Sequence, residues 1–184
     1  MHFRCLTVLT LLVFASFPSF QARPRDEHHE QNFKTASPFS IALEALQKQI
    51  GYTFKSVGLL RRAMTHPSYS EENNKALSIL GESIIATSVA LRSLRKDVDT
   101  SAGDLTRRIM EVSKVDSSCS VDGMRLGLEK VIRVSSKTNS TTPKVVCGAL
   151  RAIIGAVAVD THEADAAGNV FWNVHGEVGR ALSQ

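Results

Sequence analysis

The 184-residue chain carries 43% hydrophobic and 22% charged residues. That balance excludes a disordered polymer and leaves enough apolar material for one domain with a real core. A net charge of +4 permits an anionic partner without demanding one, and the basic groups Arg61-Arg62, Arg92 with Arg95-Lys96, and Arg107-Arg108 read first as solvated helix faces.

Taken in order, the chain opens like a secretory signal. Arg4 supplies a positive start, and residues 6–17 are an uncharged run rich in Leu, Val and Phe, short of the ~20 apolar residues that a spanning helix needs. Cleavage after Ala22 is the expectation, although Phe20 is bulky where a small residue is preferred. A mitochondrial presequence would be richer in Arg and free of acids, yet Asp26, Glu27 and Glu30 follow soon after. Residues 1–22 are therefore read as a signal peptide for the secretory pathway (endoplasmic reticulum or secretion), with an organelle as the alternative and no membrane span in the mature chain. Residues 23–40 are polar, include Pro24, Pro38 and His28-His29, and read as a flexible lead-in rather than a metal site.

Helical periodicity begins at residues 41–50, where Ile41, Leu43, Leu46 and Ile50 form a stripe, Ser40 is placed to cap and Gly51 to stop. A second helix is expected over 57–64, capped by Ser56. The longest pattern covers 75–94, with Leu77, Leu80, Ile84, Val89 and Leu91 broadly on one side. A polar break at 97–101 precedes a helix over 102–112, and another short amphipathic helix is expected over 121–134. Pro143 suits a first helical turn, and Val145, Val146, Leu150, Ile153, Ile154, Val157 and Val159 make the following helix apolar nearly all round, hence central. A last helix over 163–182 packs through Val170, Phe171, Val174 and Val178. No stretch alternates like a strand for long, so the fold class is all-α.

Two features bear on compartment. Asn139-Ser140-Thr141 is a glycosylation sequon in a polar stretch, so Asn139 is expected on an exposed loop. Cys5 lies in the signal, leaving Cys119 and Cys147, which could pair in an oxidising compartment or stay as two buried thiols.

Three ordered strings carry a resemblance. The first is GYTFKSVGLLRRAMTH, ending at His66. The second, THPSYSEENNKALSILGE over 65–82, holds Thr65, His66, Ser68, Tyr69, Asn74, Leu77, Leu80 and Gly81 at matching places. The third runs from Ala152 to Asp160, preceded by a Leu-Gly-Leu step at 126–128. Together they resemble the ribonuclease III endonuclease domain, in the manner of the single-domain ribonuclease III-like proteins of plants. The resemblance covers residues 41 to about 160 and the last helix. It implies a ribonuclease III-like domain over 41–184 with no room for a double-stranded-RNA-binding domain. It also implies a helical domain that dimerises, with RNA lying across a valley between two domains, and it makes His66 a hydrogen-bonding residue of a turn.

The family's chemistry needs a divalent ion, usually Mg²⁺, held by four acids on two facing helices. Carried over residue by residue, those positions fall on Ser78, Glu82, Gly148 and Arg151. Glu82 is the only retained acid. A guanidinium offers no lone pair and stays protonated, and at ~4 Å it repels a divalent ion by several kcal/mol. A Glu82–Arg151 ion pair is expected in place of the metal, so no cofactor and no catalytic residue is assigned. The first functional expectation is a catalytically inactive scaffold: a non-catalytic module that forms a homodimer or pairs with another ribonuclease III-like domain. The alternative is a residual Mg²⁺-dependent endoribonuclease acting on double-stranded RNA. Pure RNA binding is disfavoured by the modest charge.

Overall fold

The computed structural model describes residues 37–181, and for residues 177–181 the backbone only. The expected signal peptide and most of the polar lead-in lie outside the described residues. The chain forms α1 (Pro38–Ile50), α2 (Val57–Ala63), α3 (Lys75–Lys96), α4 (Ala102–Ser113), a wide π turn (Val115–Cys119), α5 (Ser120–Arg125), a 3₁₀ turn (Leu128–Lys130), α6 (Pro143–Thr161) and α7 (Ala164–Ala181). No strand is present among the described residues; a single parallel bridge joins Thr65 to Arg133. The domain is all-α.

The core is built around α6. Twelve of its nineteen residues are buried, so it must be enclosed on almost every side, and α2, α3, α5 and α7 all pack against it. Val159, placed on its apolar surface by the sequence, is instead 39% exposed. Pro143 opens the helix as expected, with no side-chain cap: the Thr142 hydroxyl donates to the Asn139 carbonyl at 2.9 Å. From the other elements Leu43, Leu46, Ile50, Leu60, Met64 and Phe171 complete the core, each contributing roughly 1.5–3 kcal/mol by leaving water.

Several boundaries differ from the sequence reading. Helix α1 starts at Pro38, and its cap is Ser37, whose hydroxyl accepts from Ser40 N–H at 3.1 Å. Ser40 is therefore the capped residue, not the cap. Ser56 precedes α2 without a side-chain cap; the backbone N–H groups of Lys55 and Ser56 donate to Asp160 instead, at 2.7 and 2.8 Å. The single helix expected over 121–134 is broken. Gly127 takes φ +66, a left-handed turn that glycine adopts without penalty. The chain then leaves the helical path so that Arg133 N–H can donate to the Met64 carbonyl and Arg133 can accept from His66 N–H.

Candidate functional site

Helices α3 and α6 cross at the closest approach the backbone allows. A Cβ built on Gly81 would lie 1.8 Å from the Arg151 carbonyl oxygen, and one on Gly155 would lie 2.1 Å from that of Leu77. Neither position accepts a side chain, so the two glycines fix how the helices meet. That crossing brings Glu82 of α3 against Arg151 of α6, with Ser78 one turn before Glu82 on α3 and Gly148 one turn before Arg151 on α6.

At the crossing, Arg151 Nη2 lies 3.0 Å from Glu82 Oε1. The same nitrogen donates to the carbonyl of Ser113 at 2.9 Å. Ser113 is the last residue of α4, where carbonyls lack helical partners and a cation is favoured. The Arg151 side chain is 16% exposed and that of Glu82 50%. The guanidinium is thus enclosed and doubly engaged, while the carboxylate reaches in from the surface. Ser78 is half-buried. Gly148 faces open space, with nothing near where a Cβ would be. Mg²⁺ requires about six oxygen ligands in octahedral geometry. These residues supply one carboxylate, already paired, and a fixed positive charge, so they do not fit the ion. Among the described residues no group of three or more His, Cys, Asp or Glu converges elsewhere as a metal site.

The turn leading into α3 is held by the residues that carried the sequence resemblance. His66 Nδ1 accepts from Ser68 N–H at 3.0 Å and lies 2.8 Å from Ser68 Oγ, and burial lowers the imidazole pKa. Ser68 Oγ also accepts from Ser135 N–H at 3.1 Å. Asn74 is buried and donates its side-chain amide to the Ala63 carbonyl. Arg133 donates to the Thr65 hydroxyl, and its guanidinium lies over Phe39 and Tyr69, 4.4 and 5.0 Å from the ring centroids. Thr65, His66, Ser68 and Asn74 therefore position α3; none of them faces a reacting group.

Two further sequence candidates have defined geometry. Cys119 and Cys147 are joined as a disulfide with Cα atoms 5.1 Å apart, tying the π turn to α6. Asn139 is exposed, and its side-chain carbonyl accepts from both the backbone and the hydroxyl of Thr141 at 2.9 and 2.8 Å.

A family model described as Ribonuclease-III-like matches residues 56–174. The chain belongs to the ribonuclease III-like family. It is 50% identical to Protein NUCLEAR FUSION DEFECTIVE 2 of Arabidopsis thaliana, over 97% of this chain and 94% of that one. It is 35% identical to ribonuclease 3 of Albidiferax ferrireducens, over 70% of this chain but only 58% of the bacterial enzyme. Among solved structures, the nuclease domain of ribonuclease III from Campylobacter jejuni is 27% identical with a TM-score of 0.67, covering 73% of this chain and 96% of that domain. The ribonuclease III-like scaffold is thus retained, with Arg151 standing where the family resemblance implies an acid. The bond from Arg151 to Ser113 escaped sequence reading, because it depends on where α4 ends, 38 residues upstream.

Proposed function

We propose that this chain is a catalytically silent ribonuclease III-like module that acts by pairing with a second such domain, either its own copy or another. The observation that carries this reading is the 3.0 Å contact between Arg151 and Glu82. Hydrolysis by the family route needs a divalent ion that activates water and stabilises charge on the attacking and leaving oxygens. An ion entering here would have to displace the guanidinium from the one available carboxylate and then sit beside it.

Pairing is supported by α3, which leaves Ile79 64% and Leu80 39% exposed next to the crossing. The Campylobacter jejuni nuclease domain has a region involved in dimer formation. Double-stranded RNA is a secondary partner in this reading. The compartment we infer is the secretory pathway. A disulfide is retained in an oxidising lumen and is rare where thiols are kept reduced, and Asn139 is exposed for glycosylation. The name of the Arabidopsis relative refers to nuclear fusion, and we extend that process, karyogamy, to this chain.

The deciding experiment incubates the purified chain with long double-stranded RNA and Mg²⁺ or Mn²⁺. The RNA is expected to stay intact. Metal-dependent cleavage that disappears in Glu82→Ala would overturn the proposal and establish a residual endoribonuclease. The combined changes Ser78→Glu, Glu82→Asp, Gly148→Asp and Arg151→Glu rebuild four acids. Because Gly148 has space for a side chain, Mn²⁺ binding by that variant, read by calorimetry, is expected to exceed that of the parent.

A further inference from the structure

A second feature lies away from the crossing, toward the C-terminal end of α3. Two adjoining clefts open between α3 and its neighbours. One, of about 350 Å³, is lined by Arg92, Arg95, Asn169 and Asp165, and the other, of about 270 Å³, by Lys96, Arg108 and Glu111. Arg92 and Trp172 are walls of both. The fold therefore gathers into one place two basic groups that are separate in sequence.

The centre of this place is held rigidly. The Arg92 guanidinium carbon lies 4.3 Å from the Trp172 ring centroid. Trp172 is itself anchored, donating Nε1–H to Ser88 Oγ at 2.7 Å and meeting the edge of Phe171 at 5.0 Å. A guanidinium laid on an indole keeps its edge N–H groups free for an oxyanion and loses little entropy on binding one. Neither Arg92, Arg95, Lys96 nor Arg108 has a carboxylate within ion-pair distance among the described residues, whereas neighbouring Arg107 is paired with Asp104 and Glu111. Arg95 and Lys96 are accounted for in part by the negative C-terminal end of α3. Arg108 lies in the field of Asp104, four positions back on α4, while Arg92 has no such explanation. The two acids in the walls are already placed: Glu111 lies 3.5 Å from Arg107, and Asp165 is in the first turn of α7, where the helix dipole favours a negative charge.

We propose that this double cleft binds a phosphate-bearing anion, with Arg92 shared between two phosphoryl groups and Arg95, Lys96 and Arg108 closing on them. The ligand class is a pair of phosphoryl groups, supplied either by a small-molecule diphosphate or by adjacent phosphodiesters of a nucleic-acid strand. Both present anionic phosphoryl oxygens to the guanidinium groups, at different spacing and charge.

Trp172 is the only tryptophan in the chain, so its fluorescence reports on the site directly. Titration of the disulfide-intact chain with pyrophosphate at constant ionic strength is expected to change the emission saturably. Arg92→Gln and Arg108→Gln should each weaken binding by about tenfold, and Arg61→Gln, on α2, should leave it unchanged. Calorimetry repeats the titration for Arg92→Gln, because that change alters the emission itself. A response that does not saturate, that sodium chloride reproduces, or that survives both cleft substitutions overturns the proposal. A parallel titration with a short single-stranded RNA separates the sources. Tighter binding of RNA with the same arginine dependence assigns the site to a strand, and tighter binding of pyrophosphate assigns it to a small molecule.

Discussion

Asp160 shows how one carboxylate can set the geometry of a whole helix junction. It is 7% exposed and accepts from the Tyr52 hydroxyl at 2.7 Å as well as from the N–H groups of Lys55 and Ser56. Burial raises its pKa, but hydrogen bonds from Tyr52 and from the two backbone groups outweigh burial and hold the carboxyl below its ordinary range. A carboxyl depressed in the folded state stabilises above its unfolded pKa, about 4, and that stability is lost as pH falls through the folded value. Tyr52 is pushed up to about 12, by burial first and then by Asp160; its contribution is complete below about 10 and lost as pH rises through about 12. Asp160→Ala strands these donors and is expected to cost roughly 2–3 kcal/mol at neutral pH. It should also flatten the loss of stability below about pH 4, read by urea denaturation across pH. The motif around Asp160 was legible as a string of residues, but the role of the aspartate was not. Its partners lie more than a hundred positions away, and no local pattern records them. The Glu82–Arg151 pair was legible because carrying over the metal positions placed opposite charges in one pocket.

At the level of elements, α6, apolar nearly all round, starts at Pro143 as expected, and α3 carried clear apolar periodicity and was placed within two residues of its observed limits. The segment after α4 was not. Its apolar residues continue at helical spacing through Gly127, and spacing alone does not reveal that the glycine is left-handed. The start of α1 was missed for a different reason: Ser37 and Ser40 both suit a cap, and Pro38 directly after Ser37 was the deciding signal. The crossing glycines were legible as motif letters, Gly81 in the signature string and Gly155 in the last core string, but not as a contact. Gly81→Ala is expected to destabilise the fold by at least about 3 kcal/mol, since the new methyl meets backbone rather than a movable side chain. Thermal melting checks this, and a change near zero would mean the helices separate at little cost. Gly148→Ala, facing open space on α6, should be neutral or slightly stabilising through helix propensity.

Over the whole molecule, the order of the helices and the enclosure of α6 were legible from sequence, because both follow from where apolar residues recur. A pairing surface was not, since exposed side chains such as Ile79 carry no periodic signal of a partner. One experiment reads both assembly and maturation. The chain secreted from a eukaryotic host is expected to sediment as a dimer, and each protomer should lose the mass of one glycan after glycosidase digestion. A monomer would remove the homodimer and leave pairing with a different ribonuclease III-like domain, and an unchanged mass would remove the glycan. The covalent link between Cys119 and Cys147 spans 28 positions, enough to favour the native state by roughly 3.5 kcal/mol through the chain entropy it removes on unfolding. Asn139 and the left-handed Gly127 both lie inside the ring it closes. A laboratory that adds dithiothreitol during purification would open this ring, and comparisons between such preparations and untreated ones would be comparisons between two covalent species.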